Sequence, residues 1–570
     1  MALLQGCAQM TAPVAPAPIV VVPSYDLLIH GGTIYDGSGG APYEGDIGIR
    51  GDRIAYAGPA QPANATKVVD AHGLAVTPGF INMLSWANES LLVDGLGQSD
   101  LRQGVTLEVM GEGWSMGPLN QEMKKLTLER QGDFKYPIEW TTLGEYLSLL
   151  ERRGTTMNVA SFVGATTVRQ HELGERDVDP TPEQLGRMRA LVRQAMEEGA
   201  LGVGTSLIYP PASFAETDEL VALTTEAARC GGTYISHMRS EGDRLLESID
   251  ELIEISRRSG APAEIYHLKQ VGRSNWGKLD AVIAKVEAAR ASGLKISADM
   301  YLYTAGGTAL AASMPPWVQD GGNEAMLKRL KDPAIVTRVK REMLQPGSNW
   351  ENLYLHAGPD GVLLASLTEP SLKPLTGKTV AEVAEMRGVS PEQAVIDLVL
   401  ADQGRAGAIY FLMNEENVRR EAAIPWVSFG SDAEASAPEG VFLKSSTHPR
   451  AYGNFARFLG SYVRDEKVAS LAEGIRRLTS LPASNLGLRD RGLLQPGMAA
   501  DVVLFDPDRI ADHATFAKPM QFATGVRHVF INGVQALKDG EPTGDKSGRF
   551  VKGAGWKGWP NGGACQSTAG

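Results

Sequence analysis

Cysteine is nearly absent: Cys7, Cys230 and Cys565 are the three in 570 residues, too few for a disulfide framework. No run of eighteen uncharged apolar residues occurs, which excludes a transmembrane helix. Basic charge is short as well. With 55 Lys+Arg against 67 Asp+Glu the net charge is −12, so a basic stripe for phosphates is not expected and a nucleic-acid partner is disfavoured. Against these deficits, 43% apolar and 21% charged residues suffice for a packed core and exclude disorder. At about 150 residues per domain the length allows about four domains, or one large barrel with insertions.

Near the start, Leu3-Leu4-Gln5-Gly6-Cys7 resembles the lipobox of bacterial lipoproteins, without the basic and long apolar regions that precede one. The following Ala/Pro stretch fits a tether behind such an anchor. Residues 1–23 therefore read as a signal remnant or flexible tether. The expected location is periplasmic or lipid-anchored, with cytoplasmic as the alternative. The Gly- and Trp-rich tail, residues 553–570, has no assigned role.

Residues 25–76 read as short strands closed by turns, such as Asp26-Leu27-Leu28-Ile29-His30 before Gly31-Gly32. The far end has the same texture in Asp501-Val502-Val503-Leu504-Phe505-Asp506 and His528-Val529-Phe530-Ile531-Asn532-Gly533. Neither piece buries a core alone. Residues 24–77 and 490–552 are therefore expected to pair as one composite β-sandwich domain built from both chain ends.

Between them, residues 78–489 alternate strand and helix. Apolar runs end at Leu84, Met110, Gly164, Thr205, His237, His267, Asp299 and Asp432, with amphipathic helices expected over 182–198, 244–259 and 279–292. Eight strands linked by helices is the count of an α/β fold of (β/α)8 TIM-barrel type. The long interval from about 305 to 425 is expected to be an inserted lid subdomain over the barrel mouth.

Barrel chemistry sits where strands end, at the carboxyl-terminal face. His237 and His267, two of nine histidines, close consecutive strands. Either alone reads equally as a core residue; together, at the same end, they point to a metal pair. Asp432 ends the last strand, with an N-cap as its bland reading. Glu112, between Gly111 and Gly113, suits a metal ligand or a turn.

Together these pieces resemble the amidohydrolase superfamily, and within it the D-aminoacylase (N-acyl-D-amino-acid deacylase) family, from about residue 25 to 552. The resemblance rests on Pro78-Gly79-Phe80-Ile81, Asp299-Met300-Tyr301-Leu302-Tyr303-Thr304-Ala305-Gly306, Gly430-Ser431-Asp432, His448-Pro449-Arg450 and Thr543-Gly544. It implies that His237 and His267 ligate zinc and that Asp432 is the general base that passes a proton to the leaving amine. It further implies that Lys269, Tyr301 and Arg450 hold the substrate carboxylate, and that Tyr209 lies near the scissile carbonyl. A Lys/Arg pair suits a carboxylate, the guanidinium bidentately.

The departures from the family are as informative. Leu84 and Trp86 stand where the superfamily's first strand carries H-x-H, and neither side chain binds a hard or borderline cation. The second metal is thus expected to be lost. Glu112 stands in place of the family's cysteine ligand, and Gly307 in place of a carboxylate-binding serine. The leading expectation is a hydrolase with one Zn²⁺ per chain, held by Glu112, His237 and His267 with an open fourth position. Met83, Leu84, Trp86 and Trp114 are expected to wall an apolar pocket for a hydrophobic or aromatic acyl group, although Met83 and Trp86 could instead plug the vacated metal site. The substrate is then a small N-acyl amino acid, of the D series. Two alternatives stand beside it: a metal-free pseudoenzyme that binds a ligand or partner, and a D-aminopeptidase-like amidohydrolase. A binuclear ring-opening amidase is disfavoured because Gly204-Thr205-Ser206 offers no lysine to carboxylate. A homo-oligomer is compatible with each of these.

Overall fold

A computed structural model describes residues 23–565; the Cys7 motif lies outside the described residues. Both chain ends enter one nine-stranded sheet. Its N-terminal strands Ser24–Ile34, Tyr43–Arg50 and Arg53–Gly58 form an antiparallel run, and Asn64–Asp70 adds in parallel to the first. The join between the two ends is Ala75–Pro78 against Val502–Phe505, antiparallel, with Val503 opposite Thr77. Alternating side chains from both halves meet in one apolar layer that includes Ile29, Ile47, Ile49, Val502, Leu504 and Phe530. Burial of that shared layer is what a half-sheet could not achieve by itself.

The barrel strands follow: Phe80–Asn82, Val105–Met110, the interrupted pair Asn158–Ser161 and Val163–Gly164, Gly202–Ser206, Thr233–His237, Ala263–Ile265, Ile296–Met300 and Val427–Phe429. Neighbours pair in parallel. Closure between the last and first strands is made by Met83 N–H to Phe429 O at 3.1 Å and Asp432 N–H to Leu84 O at 2.8 Å. Nearly every strand residue is buried on both faces, as expected for a parallel sheet wrapped in helices.

The helix Pro182–Glu198 shows why these segments fold locally. Thr181 accepts from the Gln184 N–H and Gln184 reaches back to it, Pro182 opens the helix, and left-handed Gly199 (φ 115°) closes it. The helices expected over 244–259 and 279–292 span Leu245–Ser259 and Leu279–Ala291.

The chain between the strands Ile296–Met300 and Val427–Phe429 builds a subdomain with its own core, among it Leu310, Met314, Val395, Leu398 and Tyr410. It carries a three-stranded antiparallel sheet with Gly407–Phe411 central. Among the described residues no helix is long and apolar enough to cross a membrane.

Three cysteines make no framework, but Cys230 and Cys565 form one disulfide, which the sequence did not point to. Their separation of 335 residues leaves no spacing pattern to read in the sequence. Residues 553–565 form a strap: Gly553 N–H bonds Gly199 O and Lys557 N–H bonds Glu197 O, across the helix end opposite the strands' carboxyl termini.

Candidate metal centre

Glu112 follows the second barrel strand on a turn that only glycines permit. Gly111 (φ 105°) and Gly113 (φ 70°) flank it, and a Cβ on either would stand within 2.3 Å of Phe162 O or 2.0 Å of Ser206 Oγ. The turn can therefore press against the third and fourth strands and present the carboxylate over the barrel axis. His237 is the last residue of its strand. His267 lies just past its own strand with φ 34°, and Asp432 past the last strand with φ 48°. Such backbone angles cost energy in non-glycine residues and collect at functional sites. Both are held: Asp299 Oδ1 accepts the His267 N–H at 2.9 Å, and Leu84 O accepts the Asp432 N–H at 2.8 Å.

Glu112 Oε1 lies 3.0 Å from His237 Nδ1 and 3.0 Å from His267 Nε2. The donor atoms of these three buried residues all lie within 4.8 Å of one another, the only such group among the described residues. Burial would raise the Glu112 carboxyl, yet the hydrogen bonds from His237 and His267 hold it far below the usual carboxylate range. An anionic oxygen facing two imidazole nitrogens is a donor set suited to a divalent cation such as zinc. Buried His237 Nε2 has no hydrogen-bond partner, which marks that ring as not fully satisfied by the protein alone.

Glu241 stands behind both rings and was not foreseen from the sequence. Its Oε1 is 3.0 Å from His267 Nδ1 and 2.8 Å from Lys269 Nζ, and its Oε2 is 3.6 Å from His237 Nε2. Burial would raise it, but Lys269 and the two histidines hold it well below the usual range. On His267, a carboxylate at the far nitrogen can fix the tautomer and leave the near nitrogen free for the metal, whereas at His237 the 3.6 Å contact makes no hydrogen bond. The available signal was the spacing His237-x-x-x-Glu241.

Beside this cluster Asp432 Oδ2 pairs with Arg450 Nη1 at 2.7 Å. Burial pushes the Asp432 carboxyl up, Arg450 pulls against it and Glu112 adds to it. The Arg450 guanidinium stacks over the Tyr301 ring at 4.4 Å, and Lys269 Nζ lies 5.4 Å from the same ring. Arg450 is oriented by His448, whose Nδ1 accepts its N–H at 3.0 Å and whose Nε2 bonds Ala305 O at 2.9 Å. Arg450 Nε is buried without a hydrogen-bond partner among the described residues. Tyr209 packs 5.3 Å from His237 and 5.9 Å from Trp114; burial first, then Glu112, keeps its hydroxyl protonated.

The expected pocket walls need one correction. Met83 and Leu84 are fully buried and pack into the barrel core with Ile81 and Val109, so neither lines an open pocket. Trp86 does face the site, but through its N–H. Indole Nε1 donates to Glu112 Oε2 at 2.9 Å and to Asp432 Oδ1 at 3.0 Å.

Comparison with known proteins agrees with this architecture. The chain matches the amidohydrolase family over residues 67–536. It is 34% identical to the D-aminoacylase of Alcaligenes xylosoxydans xylosoxydans, covering 92% of this chain and 97% of that one. A solved D-aminoacylase, whose binuclear metal centre is described by one-metal activation and second-metal attenuation, superposes with a TM-score of 0.76 at 30% identity, over 93% of this chain and 100% of that one. An N-acyl-D-glutamate deacylase from Bordetella bronchiseptica, complexed with zinc and a phosphonate mimic of the tetrahedral intermediate, gives 0.75 at 28% over the same shares. The chain belongs to the amidohydrolase family, as a metal-dependent hydrolase of the N-acyl-D-amino-acid deacylase type.

Proposed function

We propose that this chain hydrolyses the amide bond of N-acyl-D-amino acids bearing one carboxylate, with a single zinc held by Glu112, His237 and His267. The observation that carries the reading is the convergence of these three donors within 4.8 Å beside an Asp–Arg pair. Charge supports it too. With both histidines neutral as ligands, Glu112, Glu241 and Asp432 set against Lys269, Arg450 and a divalent cation sum to one positive charge, matched by one substrate carboxylate. A divalent cation here supplies polarisation of the scissile carbonyl and acidifies water.

The chain's own groups supply the rest. The Arg450 guanidinium, stacked on Tyr301, and the Tyr301 hydroxyl receive the substrate carboxylate, the planar guanidinium being able to bind it bidentately. Asp432, anionic and anchored by Arg450, takes a proton from the attacking water and returns it to the leaving amine. Tyr209, kept protonated, donates to the oxyanion. Trp114 and Tyr209 make the apolar side on which a hydrophobic acyl group rests.

The test is zinc content of protein purified without chelator, together with rates on acetyl, long-chain and aromatic N-acyl-D-amino acids and their L counterparts. About one zinc per chain and turnover of the D series are expected. A chain that stays metal-free when zinc is offered would favour the ligand-binding pseudoenzyme. Asp432→Asn should keep its metal and lose on the order of 10²–10⁴-fold in turnover; a near-normal rate would make Asp432 structural.

We also read the protein as exported, supported by the Cys230–Cys565 bond, since disulfides persist mainly in oxidising compartments. Intact mass of the native protein would show lipid on Cys7 if it is the anchor. An unmodified Cys7 in a protein recovered from the cytoplasm would overturn this.

A further inference from the structure

Two anionic carboxylates that face each other across a buried site need positive charge between them. Here Glu112 turns Oε1 to the two histidines and Oε2 away from them, and that second oxygen meets the indole N–H of Trp86 at 2.9 Å. The same N–H reaches Asp432 Oδ1 at 3.0 Å, while Asp432 Oδ2 is taken by Arg450. All four carboxylate oxygens are thus assigned, and one N–H bridges the ligand and the base.

The backbone makes this bridge rigid. Trp86 N–H donates to Ala433 O at 2.9 Å, Ser85 N–H to Val109 O at 2.8 Å, and Asp432 N–H to Leu84 O at 2.8 Å. The stretch carrying Trp86 is therefore laced to the strand that leads to Glu112 and to the turn of Asp432. Leu84, fully buried, adds no polar atom.

We infer that the Trp86 indole N–H serves as a built-in substitute for a second cation: it bridges Glu112 and Asp432, limits the site to one metal and fixes the orientation of both carboxylates. This inference rests on the single-zinc reading above and deepens it. A shared N–H delivers partial positive charge without the ligand demands of an ion. It holds Glu112 to a single metal-facing oxygen and keeps Asp432 from swinging toward the metal as an additional ligand. Trp86 is accordingly a positioning residue rather than a wall for the acyl group.

The test counts metal as well as rate. Wild-type protein titrated with zinc should plateau at one equivalent even in ten-fold excess, with no loss of activity at that excess. Trp86→His replaces the bridge with a ligand and should take up a second equivalent. Trp86→Phe keeps an aromatic ring without the N–H and should bind one zinc about 10–100-fold more weakly, the cost typical of losing an outer partner of a ligand. A second equivalent bound by the wild type would overturn the inference. So would Trp86→Phe that folds and holds zinc as tightly as wild type, since Trp86 would then be packing alone. If that variant fails to fold, Trp86→His decides: a folded Trp86→His that still plateaus at one equivalent would overturn the inference, since Trp86 would then not be what limits the site. No zinc in the wild type would instead overturn the single-zinc hydrolase, and this inference with it.

Discussion

At the residue scale, the groups that carry the chemistry are held by neighbours with no chemical role of their own. Glu241 is the clearest. It contacts both histidine rings and Lys269, so Glu241→Gln should weaken zinc binding by about 10–100-fold with the fold intact; chelator competition would measure this, and unchanged affinity would show that the Lys269 pair alone matters. Gly307 offers a gain instead. A Cβ there meets nothing closer than Arg450 Nη2 at 3.7 Å, so Gly307→Ser fits and brings a hydroxyl beside the guanidinium. A several-fold lower KM at similar kcat is the expected outcome of steady-state kinetics; an unchanged KM would place the substrate carboxylate elsewhere.

What could be read at this scale was identity, not partnership. His237 and His267 stand out as strand-ending histidines. That Asp299 accepts the His267 amide depends on a φ of 34°, which sequence does not encode in any local pattern. Trp86 was read by its apolar ring, whereas its polar handle is what the site uses.

At the element scale, periodic segments with terminal signals were the most legible, the helix Pro182–Glu198 between Thr181 and Gly199 being the best case. Short barrel strands such as Ala263–Ile265 leave only a few residues of pattern, and their ends blur into the loops that bear the chemistry. The helix Glu415–Ala422 braces one such loop: Glu421 Oε1 accepts from Gln270 Nε2 at 2.8 Å, and Asn417 Nδ2 donates to Gln270 Oε1 at 2.7 Å. Burial pushes the Glu421 carboxyl up to about 8. Its pKa is higher in the folded chain than in the unfolded one, so the folded state binds more protons between roughly pH 4 and 8. Its contribution is fully present below the unfolded value and is lost as pH rises through 8. Thermal unfolding of Glu421→Gln should therefore fall less steeply from pH 5 to 8 than that of wild type; parallel curves would mean that Glu421 does not titrate there.

At the scale of the whole molecule, the C-terminal strap ties residue 565 to residue 230. Reductant should lower the unfolding temperature, by an amount corresponding to about 2–4 kcal/mol, and open the tail to proteolysis. A melt indifferent to reductant would show the bond to be incidental. No spacing rule could have linked those cysteines, because the contact is made by the fold and not by any local motif.

The composite sheet has a consequence in time. Thr77 and Val503 are hydrogen-bonded across 426 residues, so the strand Ala75–Pro78 leaves the ribosome long before its partner exists. At about 5–20 residues per second the wait is roughly 20–85 s. Throughout it, one edge of the N-terminal half-sheet has no neighbour, an open template for association with other chains. A chain that stops short of Val502 keeps that edge for good, which makes the last stretch of synthesis the step that closes the molecule.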